Sequence, residues 1–488
     1  ALPEIVEGIA LLLGALFFTI RMGFINIRGF RHSIDLAKGK YDDPDAPGQV
    51  THFQALATAV SGTVGLGNIA GVAVAVSLGG AGATFWMIVC GLLGMSSKFV
   101  ECTLGVKYRD ILPDGRVFGG PMNYLRYGLE KRNMKGFGKV LAGVFAVLAI
   151  GASFGGGNMF QANQSFEQLA GQFPVLAGNG FWFGVITAIL VGVVIIGGIK
   201  SIGRVAESIV PFMAAAYIVM AVIALILNFG DLGETFGRIF AGAFNFQSAS
   251  GGFAGAALIL AIRAGVARGL FSNEAGQGST PIAHAVAQTD DPEQQGRMAM
   301  LGTFIDTLVI CTMTALVILT VQGDFTFEGQ AVDHVWQSDL GTTAMSGFVT
   351  TSGAFAAAFP YEIASIPLGT LVASVALILF VFTTLLTWSY YGERAITFIY
   401  DRVPGSTRGG EKILHIIWRV IWCIGIFIGA TQPSQLVWRL GDISNATMLL
   451  PNVLALALLS GVVFALSRGD RTAGKDFHEE TPEEPEEY

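Results

Sequence analysis

Of the 488 residues, 52% are apolar and only 13% carry a formal charge, against roughly 25% charged in an average soluble domain, which excludes an ordinary cytosolic enzyme. The net charge of −7 is not a property of the body of the chain, because seven acidic groups crowd residues 476–488; no nucleic-acid partner is expected. With 64 Gly and 36 Phe the composition fits helices packed closely in lipid, where small residues let backbones approach.

A spanning helix needs about 20 mainly apolar residues. In chain order, eleven segments qualify: 5–26, 54–78, 82–106, 137–170, 181–199, 205–229, 253–286, 297–322, 365–399, 412–431 and 444–467. They are called segments one to eleven below. The stretch 323–364 is rich in Gly, Ser and Thr and reads as an outer loop with short helices. The expectation is one transmembrane domain over 1–475, followed by an acidic, disordered cytoplasmic tail over 476–488, which is too charged and proline-rich to fold alone. Cys90, Cys102, Cys311 and Cys423 have no CxxC spacing, and no histidine has a metal-site context, so neither a disulfide framework nor a metal enzyme is suggested.

Lysine and arginine are retained on the cytoplasmic side of a membrane. With the N-terminus outside, the inner stretches 21–40, 98–139, 200–204, 287–297, 394–419 and 468–475 hold 5, 9, 2, 1, 5 and 3 basic residues, 25 of the 29. The outer loops hold Arg238 and Arg439 alone. The chain is therefore expected in the plasma membrane, the inner membrane of a bacterium, with its C-terminus cytoplasmic.

Two segments read as interrupted. Segment two contains Ala57-Thr-Ala-Val-Ser-Gly-Thr-Val-Gly-Leu-Gly-Asn-Ile-Ala-Gly71, and segment seven contains Gly265-Val-Ala-Arg-Gly-Leu-Phe-Ser-Asn-Glu-Ala-Gly-Gln-Gly-Ser-Thr-Pro281. Each interior Gly costs a helix about 1 kcal/mol relative to Ala, and freed backbone at membrane depth is tolerated where it lines a cavity or is covered by protein. Interrupted segments at corresponding places in two halves mark the site of a secondary transporter. Segment two opens a set of five (54–229) and segment seven another (253–467). Five is odd, so the second set runs in the opposite direction, giving an all-α inverted five-plus-five repeat with segment one as an extra helix.

These stretches resemble the alanine/glycine:cation symporter family, within the group that shares the LeuT-type fold. The resemblance rests on Ser61-Gly-Thr-Val-Gly-Leu-Gly-Asn-Ile-Ala-Gly-Val72, on Gly79-Gly-Ala-Gly-Ala-Thr-Phe-Trp-Met87 leading to Lys98-Phe-Val-Glu101, and on Ser272-Asn-Glu-Ala-Gly-Gln-Gly-Ser-Thr-Pro-Ile-Ala-His284. Ile88 departs from the family, which often has a second Trp there. The resemblance implies a LeuT-type fold and uptake of alanine or glycine driven by sodium, or less often by protons, with Na+ as coupling ion and no organic cofactor.

Roles then follow by position. The substrate carboxylate is expected at the N–H groups of Gly65, Leu66 and Gly67, at the positive end of a half-helix dipole, with Thr63 and Asn68 as side-chain helpers. The ammonium is expected at carbonyls near Gly269, Leu270 and Phe271, with Asn273 in the same polar run. Gln161 and Asn163 are either site or gate residues or plain interhelical partners, and Phe271 and Trp388 are candidate walls. By resemblance, the carbonyls of Ser61, Val64 and Phe380 and the hydroxyls of Thr383 and Thr384 form a sodium site. Three- and four-residue spacing puts both threonines on the face of Phe380; alternatively, they bond back to their own helix.

Glu101, Arg263, Arg268, Glu274 and Asp306 fall inside spanning segments, where unpaired charge costs several kcal/mol, so they are expected to pair. Glu274 with Arg268, or Asp306 with Arg263, would serve as gates or proton carriers. A channel would more naturally show a filter or a ring of one charge, and a membrane enzyme a nucleophile or metal constellation.

Overall fold

The computed structural model describes residues 2–244, 254–327, 330–335, 347–359, 361–363, 365–432 and 434–469. The acidic tail over 476–488 and the side chain of Arg439 lie outside the described residues. The chain is mostly helical. Its strands are short antiparallel pairs in connections: Asp110–Ile111 with Val117–Phe118, Phe325–Phe327 with Gln330–Val332, and Glu362–Ile363 with Ile366–Pro367.

Among the described residues, seven helices are long and apolar enough to cross a membrane: Gly82–Lys107, Lys135–Gln172, Gly198–Leu227, Pro292–Thr320, Leu368–Tyr400, Arg408–Thr431 and Thr447–Leu466. An eighth is the pair His52–Thr63 and Gly67–Gly79, bent by 54° at its break. Segment one is the helix Leu2–Arg21, segment five is the shorter apolar helix Gly180–Ile195, and segment seven begins with the helix Ala254–Asn273. Together these features make the chain an integral membrane protein.

Segment three, Gly82–Lys107, packs against segments one, seven and eight, and its glycines allow the close approach. A Cβ on Gly91 would lie 2.6 Å from the Thr307 side chain of segment eight, and one on Gly105 would lie 2.9 Å from Pro281 of segment seven. Bare backbone at these points lets segments seven and eight press against this helix. Segment two starts at a capping box in which Thr51 and Gln54 bond reciprocally, which satisfies orphan N–H groups at the helix start.

Wide π-helical turns interrupt four regions among the described residues: Gly67–Gly71, Tyr124–Gly128, Gly155–Met159 and Phe304–Cys311. Such turns concentrate at functional sites. Besides short ones such as Phe30–Ala37, two longer helices among the described residues lie outside the expected segments. Phe229–Phe244 buries Thr235, Ile239 and Ala243 while Phe236 and Phe240 stay exposed. Gly347–Ala358, in the stretch read as an outer loop, is not peripheral: it packs against segment nine and the π turn of segment two, and Thr351 donates to the Ile69 carbonyl at 2.9 Å.

Candidate functional site

Segment two leaves its first half-helix at Val64, which is extended (φ −75°, ψ 96°), and resumes at the π turn Gly67–Gly71. The second half-helix therefore begins with the N–H groups of Leu66 and Gly67, which a helix start leaves without intrahelical partners. Asn68 closes the break. Its Oδ1 accepts from the Gly65 N–H at 2.8 Å, and its Nδ2 donates to Asp306 Oδ1 at 2.6 Å. Asn68 is thereby committed to the scaffold at both ends, contrary to the expectation that it helps hold a ligand, and the Gly65 N–H is likewise occupied.

Segment seven runs as helix through Asn273 and resumes at Thr280. Glu274 (φ +54°), Gly276 (φ +86°) and Gly278 (φ +91°) take the left-handed conformations that turn the chain between them. The carbonyls expected to be freed at Gly269, Leu270 and Phe271 precede this break; the Leu270 carbonyl accepts from the Glu274 N–H at 2.9 Å. Gly269 faces Met87 and Cys90 of segment three, and Leu270 packs in the same direction. Asn273 repeats what Asn68 does. Its Oδ1 accepts from the Ala275 N–H at 2.9 Å and its Nδ2 donates to Thr307 Oγ1 at 3.0 Å.

Both interruptions are thus tied to neighbouring residues of one π turn in segment eight. Asp306, fully buried, also accepts from Ser272 Oγ at 3.0 Å and from Thr307 Oγ1 at 2.7 Å. The Glu274 carboxylate accepts from the Ser279 hydroxyl, while the Arg268 guanidinium lies 5.7 Å from the centre of the Phe271 ring. The hydrogen bonds of these two acids therefore come from hydroxyls and an amide, not from the arginines expected as partners. Glu101 forms an ion pair with Lys98 at 3.3 Å, and Lys98 also donates to Thr280. Asn452 joins the same group, donating to the Gly276 carbonyl at 2.8 Å and accepting from Tyr124. Below segment seven, Arg109 donates to the carbonyls of Ala285, Ala287, Thr289 and Pro47 at 2.6–2.9 Å; burial pushes its pKa down to about 10.

Between the two breaks lies a cavity of about 20 Å³ lined by Thr63, Gly65, Leu66, Gly67, Gln161, Phe271, Glu274, Thr384 and Trp388 together with Gly62 and Gly156. By that measure it has room for about one water. Its ceiling depends on Gly157, where a Cβ would lie 2.4 Å from Trp388 Cγ; Trp388 in turn donates to the Gly62 carbonyl at 3.2 Å. Gln161 donates to the Gly156 carbonyl at 3.2 Å, and its Oε1 is buried without a hydrogen-bond donor. An unsatisfied buried amide oxygen beside a half-helix start is an acceptor awaiting a donor.

The residues expected around sodium divide in the same way. Thr384 Oγ1 lies 2.8 Å from the Phe380 carbonyl and 3.4 Å from the Val64 carbonyl, so oxygens of segments two and nine converge there. Thr383 instead bonds back to the Leu379 and Phe380 carbonyls at 3.1 Å. Ser61 Oγ donates to the Thr58 carbonyl at 2.8 Å and meets Thr387 Oγ1, a neighbour the sequence did not single out. Asn163 lies away from the cavity: it donates to the Gly429 and Gln432 carbonyls at 3.0 and 2.8 Å, joining segment four to segment ten. Among the described residues, no group of three or more His, Cys, Asp or Glu is placed to hold a metal ion.

The fold is similar to that of a crystal structure of a manganese transporter from Eremococcus coleocola, with a TM-score of 0.51 at 14% identity, covering 86% of this chain and 76% of that one. In sequence the chain is 41% identical to the sodium/alanine symporter AgcS of Methanococcus maripaludis over 93% of this chain and 92% of the relative. It is 34% identical to the Bacillus subtilis protein YrbD, whose name proposes a sodium/proton-dependent alanine carrier, over 93% and 87% of the two chains. The model of the sodium:alanine symporter family matches residues 4–482. The chain therefore belongs to the sodium:alanine symporter family, a family of transporters.

Proposed function

We propose that this protein couples sodium entry to the uptake of small neutral amino acids, alanine and glycine, by alternating access. The observation that carries the reading is the cavity between the breaks, where a half-helix start, an acceptor without a donor and a carboxylate face one another. A zwitterion requires those partners. Its carboxylate sits at the N–H groups of Leu66 and Gly67, favoured by the half-helix dipole. Its ammonium donates to Gln161 Oε1 and lies near Glu274, and Phe271 and Trp388 enclose the side chain. At about 20 Å³ the cavity is too small for an amino acid, so Trp388, Phe271 or Gln161 must move to admit one, as a gated transporter requires.

The sodium ion sits where the Val64 and Phe380 carbonyls and the Thr384 hydroxyl converge, with the Ser61 carbonyl and Thr383 completing a neutral oxygen shell. The architecture belonging to this reading is eleven spans in a LeuT-type inverted repeat, N-terminus outside and C-terminus cytoplasmic, in the plasma membrane. A second reading has protons as the coupling ion; it is favoured by the carboxyl of Glu274 in the cavity wall.

The test is uptake of labelled alanine into proteoliposomes under an inward sodium gradient, an inward proton gradient, or neither. Uptake that follows the sodium gradient supports the first reading, uptake that follows only the proton gradient supports the second, and uptake indifferent to both rejects coupling. Thr384→Val should weaken sodium activation more than saturating transport, and Gly67→Leu should abolish alanine binding by filling the carboxylate niche. Overpacking costs about 1–3 kcal/mol, so leucine should compete about tenfold or more worse than alanine; Phe271→Ala or Trp388→Ala should narrow that gap.

A further inference from the structure

Away from the transport cavity, two other concavities meet. An apolar groove of about 530 Å³ runs between Gly180–Ile195 and Arg408–Thr431. Its walls include Ile189, Ile196, Ile416, Val420 and Ile424, each at least half exposed. Past Ile196 the chain turns at Gly197–Gly198 (φ +64° at Gly198), and there a cavity of about 230 Å³ is lined by Arg116, Lys200, Arg394 and Arg419. Arg419 lines both spaces.

Some of this positive charge is already matched. Glu393, in the cavity wall, pairs with Arg419 at 2.8 Å and Arg394 at 3.1 Å, and Arg116 pairs with Glu411 at 2.6 Å and Asp114 at 2.8 Å. His415 also lines the space, 2.9 Å from Thr397 Oγ1. Lys200 is exposed and makes no ion pair among the described residues, and Arg394 Nε is buried without an acceptor. Four cations therefore face one lining carboxylate, with donor capacity left over, at the mouth of a groove made almost wholly of hydrocarbon.

We propose that this composite site binds an anionic phospholipid, its phosphate in the basic cavity and one acyl chain along the groove. A free anion would account for the arginines and leave the groove unused; an apolar partner would leave the cations desolvated. Only an amphiphile with both parts matches the two surfaces joined at Arg419, and basic pockets between spanning helices suit anionic headgroups. Arginine adds planar, forked donors suited to phosphate oxygens.

The test is native mass spectrometry of the whole purified protein in detergent, titrated with phosphatidylglycerol, with phosphatidylcholine of the same chains, or with inorganic phosphate. Phosphatidylglycerol should be retained about tenfold more tightly than phosphatidylcholine. Lys200→Gln should weaken it about fivefold, from about 1 kcal/mol per basic residue near an anionic lipid, and Val420→Trp should weaken it by occupying the groove. Both positions are exposed, so neither change removes a core contact. Equal retention of the two lipids, or retention of phosphatidylglycerol unchanged in both variants, overturns the proposal. Inorganic phosphate binding as tightly as phosphatidylglycerol overturns it in favour of a free-anion site.

Discussion

Segment two leaves its helix at Val64 and is helical again by Gly67, whereas segment seven leaves at Asn273 and resumes only at Thr280. Each break is closed by one asparagine that caps a backbone N–H and reaches segment eight, Asn68 to Asp306 and Asn273 to Thr307. The difference lies in what surrounds them. Around segment seven stand a buried ion pair, Lys98 with Glu101, and the Tyr124–Asn452 pair. Segment two meets neutral groups at its break, Thr384, Gln161 and Thr351, apart from the carboxyls of Asp306, which Asn68 reaches, and of Glu274 across the cavity. A longer excursion from helix exposes more backbone groups and so needs more partners. The short break keeps its helix-start N–H groups available to a ligand.

That contrast can be broken most severely at Lys98. Lys98→Met strands Glu101 in the interior, and removal of one member of a buried pair costs about 3–5 kcal/mol. Thermal unfolding in detergent should show the loss, and Lys98→Met with Glu101→Gln should recover part of it; an undiminished melting temperature in the single variant would mean that the pair does not brace segment seven. Next come the two asparagines. Asn68 donates to a carboxylate and Asn273 to a hydroxyl, so Asn68→Ala should cost about 1.5–3 kcal/mol and Asn273→Ala about 0.5–1.5 kcal/mol. Melting curves of both variants check the order, and a larger loss at Asn273 would reverse the reading of which tether is stronger. The smallest effect is expected from Thr351→Val, which removes one neutral hydrogen bond to Ile69 and should cost about 1 kcal/mol. If alanine affinity nevertheless falls more than stability, that helix takes part in shaping the half-helix start.

The place of the first break was legible because Gly65 and Gly67 sit in it. The second lies later than the run Gly269-Leu-Phe271 suggests, since a glycine that turns the chain and one that admits a neighbour look alike in sequence. Gly265 and Gly269 are of the second kind: a Cβ on Gly265 would lie 2.2 Å from the Ala83 carbonyl oxygen. The turning residues are Glu274, Gly276 and Gly278. Helix geometry separates Gln161 from Asn163. Residues two apart on a helix point about 200° apart, so one cavity does not take both, and Asn163 faces segment ten. Thr383 and Thr384 both reach the Phe380 carbonyl, as their spacing implies, and Thr384 also approaches Val64. Asp306 was recognisable as a buried charge, but its partners come from residues 68, 272 and 307, in three segments. No local pattern reports such a meeting. Phe229–Phe244 is not legible as a span because its glycines and charges break the apolar run by which one is recognised.

The π turn Phe304–Cys311 gives this site a property best expressed in terms of chain length. Such a turn is an α-helix that has taken in one residue without losing its course, and one residue amounts to about 1.5 Å of rise and about 100° of rotation. Deleting a residue there would restore an uninterrupted helix while swinging one flank of segment eight, and with it either Asp306 or the residues beyond Cys311, onto another face. A single-residue gap at this point between two otherwise similar chains would therefore mark a change in helix winding, and a rewired meeting of three segments, within a fold that both chains still share.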